Sequence, residues 1–221
     1  MIYNLSNYFQ WFGSFVMMSL VIISYKRLDA SIKIIGLLGL VSVIFQSLQT
    51  GSELFFGVHY LNAIGDCYVF LETLLFLAFY HVLLAGNRYL RFALLCSAFI
   101  SMSIYSMVLF GDATYPWYAV LSSSRSLILI LFSIITFFKL ISDLPNENLL
   151  SLPTFWINAG ILFYFSCTFM LALTMDYIAQ MLKDDFQIFW TFKNFLRAGF
   201  CIIVCVGIWK ARQSSGNPST S

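Results

Sequence analysis

Charge is what this 221-residue chain has least of: Asp, Glu, Lys and Arg make up 10% of it, against about 25% in a soluble domain. That shortage excludes a soluble enzyme, a nucleic-acid binder and a disordered protein, all of which need polar surface. Histidine occurs only as His59 and His81, placed at opposite ends of an apolar stretch. Membrane haem held between paired histidines is therefore excluded. Of the four prolines, none lies well inside an apolar run, so the helices are expected to run without proline kinks. The five cysteines (Cys67, Cys96, Cys167, Cys201 and Cys205) all fall in apolar stretches with no CxxC spacing, which argues against a disulfide framework. Cys201 and Cys205 share a helix face but lack the histidine or carboxylate that would complete a metal site. No HExxH, GxSxG or P-loop pattern occurs. Neither a metal nor a cofactor is expected.

What remains is apolar: 60% hydrophobic and 19% aromatic residues, with a mean hydropathy of +0.85. A bilayer core takes about 20 apolar residues per helix, and seven such runs are present, at 4–25, 32–56, 64–85, 91–110, 118–140, 154–176 and 187–209. The expected fold is all-α: one polytopic seven-transmembrane helix bundle over residues 1–212, followed by a disordered polar tail over 213–221. Lys26, Arg27, Lys33, Arg88, Arg91, Lys139, Lys210 and Arg212 fall on one side of this arrangement, whereas the opposite loops and helix ends carry Lys183 and Lys193. Basic loops stay cytoplasmic, so the N-terminus is expected outside and the C-terminus in the cytoplasm, in a multi-pass protein of the plasma (inner) membrane. The first span has no basic segment ahead of it and Lys26-Arg27 behind it, so it reads as a retained anchor and not a cleaved signal. Tyr8, Trp11, Trp117, Tyr118 and Trp190 are expected at the outer headgroup level, and Tyr80, Trp156 and Trp209 at the inner one.

Ionisable residues inside the spans are costly unless paired or hydrated, and so they are the informative ones. The second span carries Gln46, Gln49 and Glu53 on one face, the third Asp66 and Glu72, the fifth Arg125 within a run of serines, and the seventh Trp190, Lys193, Asn194 and Arg197 on one face. All lie between the outer interface and the midplane, while the inner halves of the same spans are apolar. Glu53, Asp66 and Glu72 can balance Arg125, Lys193 and Arg197. Two readings follow. The charges form a closed network that joins the helices, or they line an outward-facing pocket for a small polar ligand, with Gln49, Glu53, Glu72, Arg125, Trp190, Lys193, Asn194 and Arg197 as its contacts. In the sixth span Asn158, near the inner end, is expected to bond another helix.

The leading expectation is a non-catalytic sensor or accessory protein that binds this ligand from outside and signals through a separate partner in or on the lipid bilayer, with no nucleic acid involved. A small-solute transporter or channel is the alternative, although neither an internal repeat nor in-span prolines are found. An intramembrane lipid hydrolase using Asp66 with Glu72 or Glu53 is the third option, but the nearby arginines hold such carboxylates ionised. A retinal Schiff base is disfavoured, because Lys193 is too near the span end and Arg197 takes the deeper place.

The segment Ser122-Ser123-Ser124-Arg125-Ser126, followed by Leu144-Pro145 and then Leu152-Pro153-Thr154-Phe155-Trp156-Ile157-Asn158-Ala159-Gly160-Ile161-Leu162-Phe163-Tyr164-Phe165-Ser166, resembles a group of small, uncharacterised seven-helix membrane proteins of bacteria with an LPxFWINxGILxYFS stretch. Glu53, Glu72, Asn194 and the closing Gly207-Ile208-Trp209-Lys210 are similar to the same pattern, and Cys167-Thr168 depart from it. Such proteins are commonly encoded beside sensor histidine kinases, so the resemblance implies a sensor histidine kinase or another membrane signalling protein as partner.

Overall fold

The computed structural model describes residues 2–55, 59–110, 115–143, 148–181 and 187–214, and side chains within them except at 2–4, 52–55, 59–63, 107–110, 115–119, 175–181, 187 and 214. Seven α-helices follow in order: α1 (Ile2–Ser24), α2 (Ala30–Phe55), α3 (His59–Leu83), α4 (Arg88–Phe110), α5 (Tyr115–Asp143), α6 (Pro153–Met181) and α7 (Gln187–Ser214), with short 3₁₀ turns at Tyr25–Arg27 and Leu149–Ser151. No strand occurs among the described residues. Each helix is long and apolar enough to cross a membrane, and in hydrocarbon a helix is favoured because it satisfies every backbone group within itself. This is a multi-pass membrane protein by length and hydropathy.

Local signals set the helix starts. Asn87 caps α4, its Oδ1 accepting from the Tyr89 N–H at 3.0 Å. Pro153 opens α6 and Pro116 sits in the first turn of α5, where a missing N–H costs nothing. The fifth and seventh apolar runs are expected at 118–140 and 187–209. In the structure α5 begins earlier and α7 runs through Ser214, while residues 215–221 of the expected tail lie outside the described residues.

Successive helices are neighbours and the ring closes where α1 packs along α7. Helix α7 is the most enclosed, and α3 turns one face inward, with Phe76, Phe79 and Tyr80 fully buried. Glycines bring the backbones together: a Cβ on Gly36 of α2 would lie 2.2 Å from Val21 Cγ1 of α1, and one on Gly207 of α7 would lie 3.0 Å from the Pro153 carbonyl of α6. Such close approach replaces the hydrophobic drive that helices in lipid lack. Outside, α4 is the least enclosed helix and displays Phe92, Leu95 and Phe99, side chains suited to acyl chains.

The ends of α1, α3, α5 and α7 that follow Val21, Tyr80, Phe137 and Ile208 gather at one end of the bundle, here called the basic end because Lys26, Arg27, Lys139 and Arg212 lie there. Lys139 Nζ donates to the Leu83 carbonyl at 2.9 Å across α5 and α3. Near this end a neutral network ties three helices. Tyr80 Oη donates to Asn158 Oδ1 at 3.0 Å, Ser133 Oγ donates to the same oxygen at 3.0 Å, and Asn158 Nδ2 donates to the Ser133 carbonyl at 2.9 Å. Asn158 thus makes the helix-to-helix bond expected of it. Tyr80 corrects its expectation, since it is fully buried against Phe79 and Phe132 and not at a headgroup surface. A buried acceptor on α6 outcompetes water for its hydroxyl. Tyr8, Trp11, Trp190 and Trp209 are exposed; the side chains of Trp117 and Tyr118 lie outside the described residues.

Candidate functional site: a buried arginine–glutamate–arginine cluster

Glu72 stands at the centre of α3 with 1% of its surface exposed, which demands partners, because an isolated carboxylate in such a place is prohibitively costly. It has two. Arg125 Nη1 of α5 donates to Oε2 at 2.9 Å, and Arg197 Nη1 of α7 donates to Oε1. Arginine suits the role because its planar fork remains charged at any depth.

Further hydroxyls complete the ring. Tyr68 lies one turn before Glu72 on α3 and donates from Oη to Glu72 Oε1 at 3.1 Å. With its only proton so used, Tyr68 accepts from Arg197 Nη2 at 2.6 Å and from Ser42 Oγ of α2 at 2.9 Å. Ser42 in turn accepts from Arg197 Nη2 at 3.0 Å. Four helices, α2, α3, α5 and α7, therefore meet on one carboxylate and two guanidiniums.

Aromatic rings close the cluster towards the basic end. The Arg197 guanidinium carbon lies 4.9 Å from the Phe200 ring centre and 5.3 Å from that of Tyr164, and that of Arg125 lies 5.4 Å from Phe165. Phe76 meets Phe165 and Phe200 edge-on at 5.1 and 5.9 Å. This layer explains why the polar residues stop at one depth.

The cluster is not balanced. One carboxylate faces two guanidiniums, so the net charge is one positive, and Lys193 follows one turn from Arg197 on the same face of α7. Among the described residues the buried Nε–H groups of Arg125 and Arg197 have no acceptor, and the amide nitrogen and oxygen of Gln46, one turn from Ser42 on α2, have no hydrogen-bond partner. Beside Arg125 a crevice of about 10 Å³, lined also by Thr73, Tyr105, Leu121 and Ser124, has room for about one water.

The structure thus brings together Glu72, Arg125 and Arg197 of the expected contacts. Asn194 sits one turn above Arg197 but turns to α1, donating to Ser6 Oγ at 3.1 Å and Asn7 Oδ1 at 2.5 Å. Lys193 is half-buried with Nζ 4.8 Å from the Trp190 ring centre. Gln49 is exposed on α2; the side chain of Glu53 lies outside the described residues. Of the three acids expected to balance the bases, Glu72 is the one that Arg125 and Arg197 share. Sequence reasoning missed Tyr68 and Ser42. Their signal was present: Tyr68 precedes Glu72 by one turn, and Ser42 extends the face of Gln46, Gln49 and Glu53.

Compared with known protein families, curated proteins and solved structures, the chain matches none. These comparisons do not bear on the resemblance carried by residues 152–166.

Proposed function

We propose that this chain is a non-catalytic seven-helix sensor of the plasma (inner) membrane. A small ligand bearing an anionic group reaches the Arg125–Glu72–Arg197 cluster from outside, and the response passes to a separate membrane partner, a sensor histidine kinase by the resemblance above. The observation that carries the reading is the cluster's deficit among the described residues: two guanidiniums share one carboxylate, and two buried Nε–H groups have no acceptor there. A buried donor without an acceptor costs about 1–3 kcal/mol, more when charged. A carboxylate or phosphoryl oxygen that accepts from these groups recovers that cost, and a zwitterion adds an ammonium for Glu72. Lys193 and Trp190 lie on the approach. Because the crevice between α3, α4 and α5 admits about one water, a ligand enters there only if α4 or α5 shifts, and a shift that a ligand favours is what a sensor needs. The aromatic layer beneath the cluster disfavours a transport path.

The tight crevice also favours a second reading, in which the cluster is only a clasp between helices. Thermal unfolding of the purified protein against amino acids, dicarboxylates and phosphate esters separates the two. Under the sensor reading at least one compound raises Tm, and Lys193→Met, which leaves the ion pairs intact, weakens that rise. If no compound moves Tm, or the rise is untouched in both Lys193→Met and Arg125→Ala, the sensor reading fails and the clasp stands.

A further inference from the structure

At the basic end, α1 stops at Ser24, turns through Tyr25–Arg27, and leaves a cleft of about 430 Å³ against the end of α7. The cleft is walled by Ile22, Ile23, Tyr25, Lys26, Arg27 and Arg212. Its volume lies within the range of about 300–1,000 Å³ usual for small-ligand sites. Cations near a helix C-terminus offset its dipole, so Lys26 and Arg27 have one ordinary reason to be there. That reason extends to Arg212, in the last turn of α7, but it does not account for the cleft in which cations of two helices meet.

The polarity is graded along the membrane axis. Ile22 and Ile23, 61% and 70% exposed, face outward on the span side. Tyr25 is exposed beside them, with the Lys33 ammonium 4.9 Å from its ring centre, a placement typical of the headgroup level. Lys26 and Arg27 are exposed beyond it and form no ion pair with any described residue. Isoleucines that suit acyl chains, a ring at the interface and three cations around one concavity match a single amphipathic molecule with an anionic head.

We propose that this cleft binds the phosphodiester headgroup of an anionic phospholipid, with Lys26, Arg27 and Arg212 on the phosphate and an acyl chain along Ile22 and Ile23. Basic pockets between transmembrane helices on the side of the anionic leaflet take such headgroups. The occupant is a lipid and not a free phosphate, because the exposed Ile22 and Ile23 share the cleft with the cations. The site lies about 22 Å along α7 from the arginine–glutamate cluster, the rise between residues 197 and 212, and does not depend on its role.

The full-length protein in phosphatidylcholine nanodiscs, with and without phosphatidylglycerol, provides the test. Tm and the lipids retained in native mass spectrometry are both read. Phosphatidylglycerol is expected to raise Tm and to remain bound, while inorganic phosphate at equal charge does neither. Lys26→Gln with Arg27→Gln weakens the lipid effect, by about fivefold in half-maximal lipid per charge removed. Arg212→Gln does the same while leaving the charges of the first turn in place to orient the chain. Arg88→Gln with Arg91→Gln, which removes equal charge at α4, leaves the effect unchanged. The proposal is overturned if the α4 variant loses as much as the cleft variants, if Arg212→Gln loses nothing, or if phosphate reproduces the shift.

Discussion

Two polar layers cross this bundle. On α3 and α5 they lie about 12 Å apart, the rise between residues 72 and 80 and between residues 125 and 133. The layer near the basic end is neutral and complete: Tyr80, Asn158 and Ser133 match donors to acceptors on three helices. The deeper layer is charged and incomplete, with an excess positive charge and buried Nε–H groups that have no acceptor. A structure that needs only to hold helices together is served by the first kind, at low electrostatic risk. The second kind is retained at a standing cost, and that cost is the physical reason to look there for a ligand.

The largest expected effect tests the charged layer. Glu72→Gln removes the carboxylate from two buried guanidiniums and should destabilise the protein by about 3–5 kcal/mol, read by unfolding in detergent. Adding Arg197→Met to it should recover part of the loss, as expected of groups in one network. A mild Glu72→Gln effect would mean that the arginines find other partners and that the two layers differ less than they look. Next comes the neutral layer. Asn158→Leu leaves Tyr80 and Ser133 without their partner and should cost about 1–3 kcal/mol, with no effect on any ligand-induced shift. Ser133→Ala removes one hydroxyl of that network and should cost about 0.6 kcal/mol, the average for such bonds between membrane helices. Of similar size in stability is Lys193→Met, where the half-exposed contact with Trp190 is worth about 0.5–1 kcal/mol. Its loss should show more in ligand response than in folding, so the ratio of the two readouts sharpens the contrast between layers.

The seven helices were legible in the sequence because hydropathy over a bilayer thickness is a local property, and so was the depth at which Glu72, Arg125 and Arg197 sit. Asn158 was legible as a helix-to-helix donor, since a lone amide in an apolar run has few other ways to be satisfied. The site itself was only half legible. Gln49, Lys193 and Arg197 read alike as polar residues on spans, yet Gln49 is exposed, Lys193 half-buried and Arg197 enclosed.

Composition and periodicity by themselves determined that the chain forms seven spans, roughly where they lie, and that charge is confined to one portion of their length. Only the tertiary structure decided which acid the arginines share, that Tyr80 turns inward to Asn158, and that the charged layer closes to a crevice the size of a water. The cost of placing a charge in hydrocarbon depends on depth, which a linear sequence encodes. Pairing depends on the rotation of each helix about its axis, which is set by close contacts such as Gly36 on Val21 and Gly207 on Pro153 between residues far apart in the chain.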